Sequence, residues 1–207
     1  MYKIIALLLL ALPSVAQAGA QAYEKLDNSA KSTLRKAVSD TTSMRLAFAT
    51  ETDAHTWITE MSQRMQKRIP DEFMRVLFLK TLHYEATRAG LDPQLVLGLT
   101  QVESGFKKYA ISSAGARGYM QVMPFWLKEI GNTGDNLFDM RTNLRFGCTI
   151  LRFYLNREKG DLFRALGRYN GSLGKAEYPT LVVGAWRNHW SFQAPSKTAQ
   201  NTTNTPG

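Results

Sequence analysis

The sequence predicts a mainly α fold with little or no sheet. Apolar residues recur at three- and four-residue intervals through most of the chain. Several of these stretches open on Asp, and one closes on Gly, the residues that cap helices. No stretch alternates apolar and polar residues long enough to read as a half-buried strand. A length of 207 residues suits one domain of ordinary size with an extension. With 44% hydrophobic and 21% charged residues, the chain resembles an average globular protein, which excludes disorder throughout.

The elements follow in order. Residues 19–28 are polar and read as a loose lead-in. Residues 30–48 read as one broken helix or two short ones, interrupted at Ser39-Asp40-Thr41-Thr42-Ser43. Asp53 is a candidate cap for the next helix, where Trp57, Met61 and Met65 repeat every four residues as a packing face. Pro70 opens a stronger helix whose Asp71 and Glu72 favour the positive end of its dipole. Phe73, Met74, Val76, Leu77, Phe78, Leu79 and Leu82 cover more than one of its faces, so it is expected to be central, and Gly90 ends it. Asp92-Pro93 supplies the cap and first position of a helix carrying Leu95, Val96, Leu99 and Val102. Ser112-Ser113-Ala114-Gly115-Ala116-Arg117 is a small-residue loop. Residues 119–130 read as a helix with Pro124 near its start, 141–157 as another, and Asp161 caps one over 162–169. A last helix is expected over 178–190 and a disordered tail over 191–207.

Twenty-six Lys and Arg against 17 Asp and Glu give a net charge of +9, which attracts polyanions. The chain's beginning narrows the choice. Lys3 precedes an unbroken apolar run over residues 4–12, followed by Pro13, Ser14 and the small-residue pattern Ala16-Gln17-Ala18. This reads as a secretory signal peptide over residues 1–18, cleaved near Ala18. The run is too short for a span of ~20 apolar residues, and no Cys follows it for lipid attachment. The expectation is an exported, periplasmic or secreted protein without a stable membrane anchor, for which nucleic acid is not the main partner. The single cysteine, Cys148, lies in an apolar stretch and reads as a buried inert thiol.

His55, His83 and His189 lack metal-ligand spacing, so no metal is expected, and no phosphate-cradling or dinucleotide-binding glycine motif calls for a cofactor. Ser104-Gly105-Phe106-Lys107 matches the S-x-x-K pattern of penicillin-binding enzymes, but the S-D-N and K-T-G partners are missing. Glu103 is more informative. Leu95, Leu99 and Glu103 share one helical stripe, so the carboxyl sits at the end of an apolar face. Desolvation there raises a carboxyl's pKa and suits it to general-acid work, although a helix-end Glu pairing with Lys107 or Lys108 explains the same residue.

The surrounding residues decide between these readings. Glu103-Ser104-Gly105-Phe106 is followed by Gly118-Tyr119-Met120-Gln121-Val122-Met123-Pro124, and then by Ala165-Leu166-Gly167-Arg168-Tyr169-Asn170-Gly171. In order and spacing these three blocks resemble the catalytic domain of the soluble lytic transglycosylases, from about Pro70 to Trp190. The resemblance implies a lysozyme-like domain over 70–190, preceded by an N-terminal helical extension over 19–69 with no match of its own. It also implies action on the glycan strands of peptidoglycan. Carried over by position, Glu103 matches the catalytic acid/base and Ser104 the neighbouring hydroxyl that orients groups near the cleaved bond. Gln121 and Met123 match substrate-pocket residues. Tyr169 and Asn170 match the third block, with the Tyr hydroxyl expected on the catalytic Glu.

Tyr119 departs from the pattern where Leu is usual, which either widens an aromatic surface or repacks the core. Glu177 is a candidate for a further groove carboxylate, although its register is open. Phe106, Tyr109, Tyr119, Phe125, Trp126 and Tyr169 gather around the blocks and are candidates for a sugar-binding groove or for the core. Most glycosidases use two carboxylates. Here the blocks carry one, and the next acids are Glu129, Asp135 and Asp139. A one-carboxylate reaction ending in 1,6-anhydromuramic acid is the expectation. A water-using hydrolase and a non-catalytic glycan-binding protein are the alternatives. The extension is expected to brace the domain or to dock a partner in an envelope machine.

Overall fold

Helices begin where the chain supplies a side-chain acceptor for an otherwise unpaired backbone N–H. In the computed structural model, which describes residues 20–40 and 42–193, Asp27 opens Asn28–Ser39 (α1) and Thr50 opens Glu51–Met65 (α2). Asp71 opens Glu72–Arg88 (α3), and Asp92 opens Pro93–Ser104 (α4). Phe125–Ile130 (α5) follows Pro124 without a side-chain cap. Asp139 opens Met140–Arg157 (α6), and Asp161 opens Leu162–Asn170 (α7). Glu177–Ala185 (α8) runs into a π-helical turn, Trp186–Trp190. Among the described residues there is no strand, only two isolated antiparallel bridges, Ile111 with Arg117 and Arg117 with Val122. The mainly helical expectation is met. The expected leader over 1–18 and most of the expected tail lie outside the described residues.

Four local expectations change. The helical reading of residues 30–48 holds only to Ser39, and residues 42–48 are not helical. The cap of α2 is Thr50, whose Oγ1 accepts from the Asp53 N–H at 3.1 Å and donates to Asp53 Oδ2 at 2.8 Å. Asp53 lies inside the first turn, where its carboxylate answers the cap instead of making it. Residues 119–124 are not helical. Gln121 takes a left-handed φ of +47°, Arg117 and Val122 exchange two backbone hydrogen bonds at 3.0 Å, and Pro124 has no N–H to extend a helix backwards. Residues 20–27, neither helix nor strand, form a strap with Gln21 and Leu26 buried, rather than a loose lead-in.

Two glycines set how closely the site-bearing segments meet. α4 packs on α8. A Cβ on Gly98 would stand 2.8 Å from the Trp186 nitrogen and 3.0 Å from the Val182 oxygen, so only a hydrogen admits the backbone of α8. On α6, a Cβ on Gly147 would fall 2.4 Å from Met120 Sδ, so the glycine makes room for the 119–124 turn.

A buried carboxylate holds the back of the molecule. Glu85 on α3 is fully buried and pairs with Arg88 at 3.0 Å, Arg145 at 3.0 Å and Arg141 at 3.3 Å. Arg88 then donates to the Ala37 carbonyl and Arg145 to the Val38 carbonyl, at the negative end of α1. Thus Glu85 and three arginines, with Asp40 also paired to Arg88 at 3.7 Å, join α1, α3 and α6. Cys148 is buried nearby, and burial pushes its thiol pKa up, as expected of an inert core residue. Among the described residues no helix is long and apolar enough to cross a membrane.

His83 stacks on Phe48 at 4.2 Å and meets the edge of Trp57 at 5.1 Å, which docks α2 on α3. Burial pushes its pKa down from 6.5 to about 4. The unfolded chain therefore binds the proton first as pH falls. The stabilisation is complete above 6.5 and is lost progressively toward 4. His83→Leu should remove a pH-dependent loss on the order of 1 kcal/mol between pH 7 and pH 5. Urea unfolding of both proteins at the two pH values measures that difference.

Candidate active site

Glu103 sits in the last turn of α4 and is 4% exposed. The helix stops at Gly105 in the left-handed conformation (φ +57°), and Phe106 follows it at φ +68°. A left-handed non-glycine residue is a strained conformation that its surroundings must hold. Here Phe78 and Trp190 pack edge-on against the Phe106 ring at 5.7 and 5.4 Å, and the Arg68 guanidinium lies 5.7 Å over it. The chain thus leaves α4 sharply and turns toward the 112–124 loop.

The Glu103 carboxyl meets α8. The Tyr178 hydroxyl donates to Glu103 Oε1. Tyr178 is buried, and its pKa is pushed well above 10, first by burial and then by the Glu103 charge. It therefore remains a proton donor at neutral pH. The expectation that placed the Tyr169 hydroxyl on Glu103 is corrected. Tyr169 Oη donates to the Met120 carbonyl at 2.7 Å. The reason is placement: Tyr169, in the last turn of α7, points at the 119–124 turn, whereas Tyr178 stands opposite Glu103 because α8 lies so close to α4.

The other expected site residues gather the loop around this pair. Ser104 Oγ donates to the Tyr119 carbonyl at 2.6 Å, tying the end of α4 to the second block. Gln121 turns its amide into its own loop and donates to Gly118 O at 2.9 Å and Ala110 O at 3.1 Å. Met123 is half-buried beside it. Asn143 on α6 pins the same turn: its Oδ1 accepts from Met120 N at 2.8 Å, and its amide donates to Leu137 O and Arg117 O. Asn170 is 7% exposed. Its amide donates to Ser172 Oγ at 3.1 Å, while its Oδ1 meets no protein donor. Asn170, Lys175, Glu177 and Tyr178 line a cleft of about 850 Å³, so Tyr178 belongs both to the cleft wall and to the Glu103 carboxyl. Glu177 lines this cleft as the first residue of α8.

Most of the aromatic set is core. Phe106, Tyr119, Trp126 and Tyr169 are buried, and Tyr119 packs on Phe78 at 4.8 Å, so its departure from Leu repacks the interior. Burial pushes the Tyr119 pKa up to about 12. Tyr109 is 70% exposed and leans on Phe138 at 5.8 Å. The acids considered as second carboxylates are engaged elsewhere. Asp139 caps α6, Asp135 accepts from the Asn132 N–H at 2.8 Å, and Glu129 pairs with Lys31 at 2.6 Å.

Sequence reasoning missed Tyr178, Asn143 and Gln21, whose contacts here span 75, 23 and more than 100 residues. No spacing rule reaches that far.

Residues 80–179 match the family model described as Transglycosylase SLT domain. A "Transglycosylase" of Enterobacteria phage PRD1 is 36% identical over 99 residues, 48% of this chain and 36% of that protein. "Membrane-bound lytic murein transglycosylase C" of Haemophilus influenzae is 32% identical over 113 residues, covering 47% of this chain and 32% of its own. An inactive mutant of lytic transglycosylase Slt from Pseudomonas aeruginosa aligns at a TM-score of 0.42 with 25% identity, covering 51% of this chain and 20% of that one. Residues 80–179 are thus similar to the transglycosylase SLT domain. The chain spans about a third of the length of the two curated relatives.

If the contact at Gly98 places Tyr178, then Gly98→Ala should move α8 outward and cost about 1–3 kcal/mol. Urea denaturation measures the loss. A stability within 0.5 kcal/mol of the parent would show that α8 has room to spare.

Proposed function

We propose that this protein is a peptidoglycan lytic transglycosylase that cleaves the β-1,4 bond between N-acetylmuramic acid and N-acetylglucosamine. The observation that carries the reading is a buried Glu103 carboxyl, hydrogen-bonded by Tyr178 at the wall of a cleft, inside a segment similar to the SLT domain. Its relatives include a protein named as a lytic murein transglycosylase. The basic chain suits glycan strands that carry acidic groups.

In the proposed reaction Glu103 protonates the oxygen that leaves with N-acetylglucosamine, and the C1–O bond of muramic acid breaks. The substrate's own N-acetyl oxygen supports the electron-poor C1, as in substrate-assisted glycosidases. Glu103, now a carboxylate, takes the proton of the sugar's C6 hydroxyl while that oxygen bonds to C1. A 1,6-anhydromuramic acid end forms, no water is consumed, and Glu103 ends the cycle protonated. One group performs both transfers. Tyr178 donates a hydrogen bond to the acid throughout, which matters most while the carboxylate is charged. Asn170 lines the cleft, while Ser104, Gln121, Met123 and Tyr169 act through the 119–124 turn. Asn170 Oδ1, buried beside the cleft, is available to a substrate N–H.

Export to the periplasm after loss of residues 1–18 is part of the proposal, supported by the apolar run and small-residue pattern there. So is the division into an extension over 19–69 and a catalytic domain over 70–190.

Mass spectrometry of fragments released from purified peptidoglycan tests the reading. The parent should release anhydro ends, lighter by one water than reducing ends, and Glu103→Gln should remain folded and release none. Reducing ends would identify a hydrolase, and release of ends by a folded Glu103→Gln would remove Glu103 from the chemistry. Tyr178→Phe should lower kcat about 10- to 100-fold, the worth of one hydrogen bond to a charged group. An unchanged kcat would make Tyr178 a packing residue alone.

A further inference from the structure

The strap over residues 20–27 lies outside the matched family segment, yet it runs through the site. Gln21 is 3% exposed. Its amide donates to the Gln121 carbonyl at 3.2 Å, across the left-handed turn of the second block. Its Oε1 accepts from the Met123 N–H at 3.2 Å and from Trp126 Nε1 at 3.1 Å. Its side chain also reaches the Tyr169 hydroxyl of the third block, whose pKa burial first and the Glu103 charge second push well above 10. On either side, Ala20 and Glu24 hold the same region. The Ala20 carbonyl occupies the space a Cβ on Gly171 would need, and Ala20 is itself part of the cleft wall beside Asn170 and Tyr178. Glu24 pairs with Arg168 at 2.8 Å and with Arg157 at 2.6 Å.

We infer that Gln21 is a positioning residue for this site, the side chain through which the strap locks the 119–124 turn to the end of α7 beside Glu103. A backbone turn with a left-handed non-glycine residue needs outside support to keep one conformation. Asn143 supplies that support from α6 and Gln21 supplies it from the opposite, N-terminal side. Two donors, the Met123 N–H of the turn and the Trp126 indole of α5, depend on the Gln21 oxygen for the partner that buried donors require. Ser104 couples the result to the acid, because its hydroxyl holds the Tyr119 carbonyl two residues upstream of Gln121. A segment that the family match does not include is therefore part of the catalytic apparatus. The inference rests on the transglycosylase reading for its effect on rate, but not for its effect on the turn.

The test uses the full chain with Gln21→Ala and Gln21→Glu. Glutamate keeps an acceptor for Met123 N–H and Trp126 but sets an oxygen against the Gln121 carbonyl. Two readouts are taken where circular dichroism shows each variant folded. In hydrogen exchange, the Met123 amide should be protected in the parent and exchange at least tenfold faster in Gln21→Ala. In release of anhydro ends, kcat should fall tenfold or more in Gln21→Ala with KM within twofold, and by less in Gln21→Glu. A folded Gln21→Ala with parental kcat and parental Met123 exchange overturns the inference. If Gln21→Ala does not fold, Gln21→Glu decides alone: a severalfold loss of kcat supports the inference and a parental kcat overturns it. If the parent releases no anhydro ends, the functional reading has failed. Hydrogen exchange then judges the inference by itself, and equal Met123 protection in parent and variants contradicts it.

Discussion

The close approach of α4 and α8 is the constraint on which the site depends. Glu103 comes from one helix and Tyr178 from the other, and a hydrogen bond joins them only because Gly98 lets the backbone of α8 come within contact of α4. That approach also buries the carboxyl. Burial makes a carboxylate expensive, and a hydrogen-bond donor offsets part of that cost. Tyrosine suits this place because its own burial keeps its proton on. A lysine there would bring a full charge and favour the ionised form of Glu103, which would defeat the proposed reaction, in which the acid gives and retakes a proton.

Around this pair the molecule uses buried polar side chains to hold backbone that regular structure does not. Besides the Arg117–Val122 pair and the Gln121 bonds to Gly118 and Ala110, the 119–124 turn leans on side chains from outside it. It is held by Asn143 from α6, Ser104 from α4, Tyr169 from α7 and Gln21 from the strap, each aimed at a backbone group of the turn or its flank. Each such contact is modest, about 1 kcal/mol net, but an orphaned buried partner costs more. The turn is therefore specified by four elements at once, and disturbance of any one is felt at the site. On the far side the Glu85 cluster does the same for α1, keeping the extension against α3 and α6.

Much of the fold was legible because its signals are local. An Asp before an apolar run, or Asp92-Pro93, starts a helix through contacts within three residues, and these starts were found nearly to the residue. Residues 119–124 were misread because their apolar content fits a helix, while the features that forbid one are Pro124 and a left-handed Gln121 stabilised from α6. The strap was misread for a related reason. Its polarity suggests solvent, and only partners 100 residues away make burial of Gln21 favourable. Glu103 stood out through its apolar stripe and the three blocks. Tyr178 did not, since nothing in its neighbours in sequence announces contact with an acid 75 residues earlier.

The central claim is that Glu103 both gives and takes the proton and that the sugar's own hydroxyl replaces water. Digestion of peptidoglycan in ¹⁸O-labelled water tests this most directly. The account predicts that new ends carry no label from the cleavage step, because C1 is captured by the C6 oxygen already present in the sugar. One ¹⁸O at each new anomeric carbon would contradict it and would require a second group that positions water.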